Sequence, residues 1–182
     1  MKAWIIFHKR HPFAFGGGSE ALMDVDIDKS TPWVAAGDGN LDLMRLAINK
    51  MGLPPTAADP NGFTLVHAAA AYCRVDVLRY LLAQERVNPN AIDADGDTPL
   101  HHCDEMRAAI ILIDEGKADP TIQNKDGKTA RAVAEEELRE MENALVMGED
   151  DNGDEDRPKL KELVDYLKSF EEDGRKSCSD GR

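Results

Sequence analysis

The stretch Gly96-Asp97-Thr98-Pro99-Leu100-His101-His102-Cys103 decides the fold, because the chain repeats it. An earlier copy reads Gly62-Phe63-Thr64-Leu65-Val66-His67-Ala68-Ala69-Ala70, and a weaker later copy reads Gly127-Lys128-Thr129-Ala130-Arg131-Ala132-Val133-Ala134. Upstream, Ser30-Thr31-Pro32-Trp33-Val34-Ala35-Ala36 fits the same register. The anchors Ser30, Thr64, Thr98 and Thr129 are separated by 34, 34 and 31 residues, and such a period is typical of solenoid proteins.

Each unit carries the pattern of two helices and a turn. After each anchor, apolar residues recur at the i, i+3, i+4 spacing of an amphipathic second helix. Thr98 can cap the first helix, and Pro99 suits its first turn, where no amide donor is missed. The glycines Gly62, Gly96 and Gly127 supply the positive φ that a tight hairpin turn requires.

This pattern resembles the ankyrin repeat over about residues 29–135, and the chain is similar to small fungal proteins of three to four such repeats. The resemblance implies an all-α fold: an ankyrin-repeat α-solenoid of helix-turn-helix units joined by β-hairpin-like turns. It also implies that His101 bonds across units. The residues matching the structural repeat motif are Gly62, Thr64, His67, Gly96, Thr98, Pro99, Leu100, His101 and Gly127.

The resemblance divides the chain into a repeat domain with an extension at each end. We predict the domain at 23–171, with units at about 29–58, 59–92, 93–123 and 124–171 and an acidic insertion at 148–158. Residues 1–22 are expected to be a disordered or artefactual extension, and 172–182 a disordered tail. The third unit lacks three residues between its helices, so its turn is expected to be tighter. Trp33 and Ala132 stand at the histidine position, as suits terminal units with one face in water.

The charge of the chain bears on its partners. The formal net charge is -13, which disfavours direct nucleic-acid binding and anionic membrane surfaces, because those depend on Lys and Arg. It favours a basic protein partner through electrostatic steering, although it can also serve solubility alone. The three cysteines are far apart and form no CxxC pair, which fits a reducing compartment, so we expect a protein of the cytoplasm or nucleus. We also expect a monomer.

Chemical motifs are scarce. The run from His101 to Asp104 is a poor metal site, because neighbours on a helix point about 100° apart. Asp93 to Asp97 looks like the start of a calcium loop, but its Gly stands fourth instead of sixth, so a hairpin turn is the better interpretation. No nucleophile elbow, P-loop or dinucleotide fingerprint occurs. We therefore predict no catalytic residue, cofactor or metal, and no enzyme.

The resemblance places partner binding on hairpin tips and on the exposed ends of first helices. We predict Phe63 and Tyr72 as exposed aromatic anchors, surrounded by carboxylates that make the groove negative. The predicted partner-binding residues are Asp38, Asn61, Phe63, Tyr72, Asp95, Asp97, Asp104, Glu105, Lys125, Lys128 and Glu136. The leading function is an interaction adaptor or regulator. The alternative is an acidic escort for a basic client such as a ribosomal protein or histone, and an uncharacterised enzyme is a remote third.

Overall fold

A computed structural model describes residues 27–146 and 156–177, with side chains at 27–143 and 156–170. Its helices follow one another in pairs. They are α1 Thr31–Asp38, α2 Leu41–Met51, α3 Leu65–Ala71, α4 Val75–Leu82, a 3-10 helix Pro99–His102, α5 Met106–Ile110 with a π-helical continuation Ile111–Glu115, α6 Ala130–Val146 and α7 Asp156–Ser177. This confirms the predicted all-α solenoid.

Hairpin turns separate the pairs. Isolated antiparallel bridges join Ala58 to Thr64 and Gln123 to Thr129 on either side of such turns. Gly62, Gly96 and Gly127 adopt φ of 78°, 80° and 73°, as their positions in the repeat predict. Left-handed φ costs an L-residue with a Cβ roughly 1–2 kcal/mol, which explains glycine at these three places.

Small and aliphatic side chains fill the core. The first helices α1 and α3 pack directly, and α3 packs on the 3-10 helix, because alanines such as Ala36, Ala69 and Ala70 are completely buried between them. Leucines Leu78 and Leu112 fill the layer of second helices and are also fully buried. Each such leucine contributes about 1.5–3 kcal/mol relative to an exposed position.

One hydrogen bond recurs from unit to unit along the stack. His67 Nε2 bonds to the carbonyl of Asp97 over 3.1 Å, and His101 Nε2 to that of Lys128 over 3.0 Å. The first unit makes the same bond with an indole, since Trp33 Nε1 donates to Phe63 O over 2.8 Å. The predicted hydrogen bond from His101 to the next unit is therefore confirmed. Trp33 makes the equivalent bond in the first unit.

The two repeat histidines are also held within their own units. The amides of Thr64 and Thr98 donate to Nδ1 of His67 and His101, each over 3.1 Å. Nε2 therefore carries the ring proton that crosses to the next unit. Burial lowers the pKa of His101 and lowers that of His67 to about 4, which keeps both rings neutral near pH 7.

The clipped third unit differs from its neighbours more than a tighter turn would require. Its first helix is reduced to the four-residue 3-10 helix, and its second passes into the π-helical segment before Gly116. Because the missing residues fall between the helices, the first helix cannot complete its last turn. The unit keeps its contacts to both neighbours by adjusting the winding of its helices.

The fourth unit closes the stack. Helix α7 packs on α6 and on α5, and buries Leu160, Leu163 and Leu167 at 2% exposure or less. The helix begins at Asp156 and continues beyond residue 171, where the sequence predicted a tail. Predictions for residues 1–22, most of the insertion and the last five residues lie outside the described residues. Over the described ranges, no helix has the length and apolar character needed to cross a membrane.

Candidate protein-binding cleft

A cleft of about 450 Å³ opens where the first helices end and the second helices begin. Three of the predicted partner-binding residues, Asp38, Tyr72 and Glu105, meet there although they come from three different units. The lining residues are Asp38, Gly39, Tyr72, Cys73, Arg74, Val75, Asp76, Val77, Glu105 and Arg107. The stacking of helix ends therefore brings together one aromatic side chain with charges of both signs.

Tyr72 follows helix α3 and leans on the preceding unit. A Cβ added to Gly37 would lie 3.0 Å from Tyr72 Cδ2, so the glycine leaves the space that this ring occupies. The tyrosine remains half-buried. Burial, followed by the nearby charge of Asp38, raises the pKa of its hydroxyl and keeps it protonated. The cleft thus presents a ring that is fixed on one side and open on the other.

Arg74 of the second unit contacts the end of the first unit. Its Nε donates to the carbonyl of Gly37 over 2.6 Å, and its methylene stem lies close to Gly39. This bond crosses from one unit to the next and holds the guanidinium at the cleft. The predicted site omitted Arg74 because the resemblance points to hairpin tips and first-helix ends, and Arg74 is the residue just before α4.

Cys73 lines the cleft and has a positive φ. Its φ is 50°, and it stands at the repeat position where the first unit has Gly39 with φ 79°. Burial, followed by the hydrogen bond to Glu105, raises the pKa of its thiol to about 11. A thiol with that pKa is protonated at neutral pH, which is the opposite of an activated nucleophile.

Phe63 does not belong to the exposed site. Its side chain is only 4% exposed, and its ring lies 5.1 Å from that of His67 and 5.3 Å from that of His102. The prediction of an exposed aromatic anchor at this position is therefore wrong. The 3-10 helix of the third unit helps to cover the ring, because His102 of that helix meets it edge to face.

The predicted hairpin-tip residues form a ladder between units. Ala94 N donates to Asn61 O over 2.7 Å, and Lys125 N donates to Asp95 O over 3.1 Å. The side chains of Asn61, Asp95 and Lys125 are exposed, and the tips can therefore still contact a partner.

Asp97 has a structural role in this ladder. It is half-buried, and its carboxylate accepts from Asn124 Nδ2 over 2.7 Å. Its carbonyl also faces His67 Nε2. Two of its polar groups are therefore engaged inside the stack.

The predicted negative groove is less uniform than the sequence indicated. Lys128 pairs with Glu136, and Lys159 lies 3.5 Å from Glu105. Arg74 and Arg107 add positive charge to the same cleft. Asp104 is half-buried and engaged in an interaction of its own. Carboxylates and cationic side chains are therefore mixed in this groove, and its surface is not purely acidic.

The fold is a stack of helix pairs that is closed by a last helix, and an open cleft lies at the helix ends. This architecture defines a solenoid repeat protein. The family model of ankyrin repeats in many copies matches residues 33–82 and 66–103, and that of a single ankyrin repeat matches 95–125. The chain belongs to the ankyrin-repeat family. Members of this family are generally protein-interaction modules and typically have no catalytic activity.

Three relatives show how widely this repeat is used. An ankyrin repeat-containing protein of Schizosaccharomyces pombe is 40% identical over 111 residues, or 60% of this chain and 53% of that protein. A Caenorhabditis elegans homolog of transient receptor potential cation channel subfamily A member 1 is 31% identical over 104 residues, 55% of this chain and 8% of the channel. A Caenorhabditis elegans homolog of ankyrin repeat and LEM domain-containing protein 1 is 39% identical over 92 residues, 45% of this chain and 13% of that protein.

The matched part of the chain therefore spans about half of the fission-yeast protein and much less of the other two. Because such different proteins share the repeat, similarity to them shows the fold and the general role of a protein-interaction module. The partner depends on a few surface side chains.

Proposed function

We propose that this chain is an adaptor or regulator that binds another protein at the Tyr72 cleft. The observation that carries the proposal is a half-buried tyrosine, seated on Gly37, with Arg74, Arg107, Asp38 and Glu105 around it. A rigid aromatic ring in a partly desolvated cleft loses little entropy on binding and gives large contact area. The surrounding charges would orient the partner rather than supply most of its affinity.

The charges define what a partner segment should present. Asp38, Asp76 and Glu105 suit Lys or Arg side chains, while Arg74 and Arg107 suit a carboxylate or a backbone carbonyl. A segment with an apolar residue over Tyr72 and mixed charges on either side would match this pattern. Asn61 and Lys125 at the hairpin tips are exposed as well and can also contact a partner.

The test compares two tyrosines of the second unit. Proteins captured from cells by the whole chain are identified by mass spectrometry, and the purified partner is then titrated with variants. Tyr72→Ala should weaken binding at least about tenfold, as expected for a hot-spot residue. Tyr80→Ala is the control, since Tyr80 lies on α4 beneath Arg45, outside the cleft-lining set. Equal affinity of the folded Tyr72→Ala protein and the wild type would refute the cleft.

A second candidate function is an escort for a strongly basic client such as a ribosomal protein or histone. The net charge of -13 supports it, because opposite charge speeds the capture of a cationic chain. This candidate predicts affinity that falls steeply between 50 and roughly 200 mM salt as ions screen the charges. A partner whose binding is insensitive to salt would rule the escort out and leave the adaptor.

Cellular location and oligomeric state complete the proposal. We expect a monomer in the cytoplasm or the nucleus, where reduced cysteines such as Cys73 and Cys103 are maintained. Sedimentation of the purified chain and microscopy of the tagged protein test these two expectations. A dimer or a secreted protein would contradict them.

A further inference from the structure

A buried polar cluster lies at the junction of the second and third units, away from the Tyr72 cleft. It contains His67 of the second unit and Asp93 and His102 of the third. One ligand atom of each lies within 4.8 Å of the ligand atoms of the other two. His102 Nε2 and Asp93 Oδ2 are 3.0 Å apart, and the rings of His67 and His102 meet edge to face at 5.5 Å.

His102 is the residue that distinguishes this junction from the others. It stands in the repeat register where the second unit has Ala68, a fully packed small residue. The imidazole of His102 is larger and extends to the turn of its own unit, where Nε2 donates to Asp93 Oδ2. The other oxygen, Oδ1, already accepts the amides of Asp95 and Asp97 over 2.9 and 3.0 Å.

We propose that His67, Asp93 and His102 form a binding site for one divalent transition-metal ion, with Zn²⁺ as the best match. Two imidazoles and a carboxylate are the donor set that such ions favour. Zn²⁺ bonds of about 2.0–2.2 Å place tetrahedral ligands roughly 3.5 Å apart, so the cluster must contract by about 1 Å. The Asp97 carbonyl oxygen, 3.1 Å from His67 Nε2, would be the fourth ligand.

Metal binding requires one proton to move on each imidazole. Nε2 of His102 donates to Asp93 and Nε2 of His67 donates to the Asp97 carbonyl, so both nitrogens must lose their protons, and each neutral ring then carries its proton on Nδ1. Thr64 Oγ1 lies 2.8 Å from His67 Nδ1 and can accept from it. The cost of this rearrangement is that the Thr64 amide loses Nδ1 as its acceptor and that His67 no longer donates to Asp97. The threonine would fix the ring orientation, as hydrogen-bond partners of metal-binding histidines do.

The surroundings indicate a stabilising ion rather than a catalytic one. The side chains of Asp93 and His102 are 0% and 8% exposed, and Phe63 covers the His102 ring edge-on. A substrate has no access to so enclosed an ion. The ion would instead link a first helix of the second unit to the turn and helix of the third.

The test is a titration of the metal-free whole chain with Zn²⁺ alone, followed by calorimetry. We expect one equivalent to bind, and His102→Ala and Asp93→Asn each to weaken binding at least about tenfold. Both variants have a precedent in the chain. Ala68 fills the register position of His102, and Asn124 makes the corresponding turn with its Oδ1 accepting two amides over 3.0 Å.

The matched control is the double variant His8→Ala with His11→Ala, which removes two histidines outside the repeats and should leave the affinity unchanged. Absence of saturable Zn²⁺ binding, or equal affinity in both cluster variants and the wild type, would overturn the proposal. Imidazole NMR resonances give a second readout on the wild type. Zn²⁺ should shift those of His67 and His102 and spare His101, and unshifted cluster resonances would also overturn it.

Discussion

The indole of Trp33 donates a hydrogen bond to the backbone carbonyl of Phe63 over 2.8 Å. The acceptor is the residue just before the anchor Thr64, and the same position accepts from His67 and His101 in the following units. An indole N–H is a donor in a fixed direction, as is the Nε2–H of a neutral histidine. Two different rings thus hold successive units at one common spacing.

Replacing Trp33 by Phe should remove this bond and keep most of the ring contact. We expect the free energy of unfolding to fall by about 1–3 kcal/mol, since Phe63 O loses its partner in a partly buried place. Urea unfolding followed by circular dichroism measures the change. Trp33→His is the informative comparison, because histidine makes this bond in the next two units and should recover part of the loss. Equal stability of Trp33→Phe and the wild type would show that the bond is unimportant.

Gly96→Ala should destabilise the protein more than Gly127→Ala does. Both glycines have positive φ, and each substitution therefore costs roughly 1–2 kcal/mol of backbone strain. A Cβ at Gly96 would also lie 2.9 Å from Lys125 N, whereas a Cβ at Gly127 meets nothing within 4 Å. The difference between the two unfolding free energies isolates the clash between neighbouring hairpins. Identical losses would mean that the tips can separate freely.

Phe63→Ala should affect folding before it affects binding. Removing a buried phenylalanine costs about 3–5 kcal/mol, and Phe63 is 4% exposed. Tyr72→Ala should cost much less, because that ring is open on one side. Thermal unfolding of the two variants checks the order. A Phe63→Ala protein as stable as wild type would place the ring outside the core.

The Cys73 thiol should react slowly with iodoacetamide at pH 8 and faster as the pH approaches about 11, its pKa. At pH 8 only about one thiol in a thousand is ionised, and the thiolate is the nucleophile. Glu105→Gln removes a charge that raises this pKa, so the rate at pH 8 should increase severalfold.

Mass spectrometry of the Cys73 peptide measures the rate in the alkylation experiment. A Cys178→Ser background prevents interference from the C-terminal thiol. The matched control is Asp76→Asn, which removes another cleft carboxylate that is absent among the groups shifting the Cys73 pKa. A Glu105→Gln rate equal to that of the wild type would contradict the assigned contact.

The repeat could be predicted from sequence because its causes are local. The anchors, the positive-φ glycines and the apolar spacing of α4 act within one unit of about thirty residues. The sequence placed Tyr72, Asp38 and Glu105 at the ends of first helices. In the structure Asp38 ends α1, Tyr72 follows α3 and Glu105 precedes α5, and all three line one cleft. Which partner that cleft takes stays a prediction.

The sequence by itself determined the order of the units, their register and the all-α class, since each depends on backbone preferences over short distances. Only the tertiary structure decided that Phe63 is covered and that Trp33 replaces a histidine as donor to the next unit. It also decided that His102 faces Asp93. These outcomes depend on how one unit rests on the next, because side chains roughly thirty residues apart become neighbours only when the units stack.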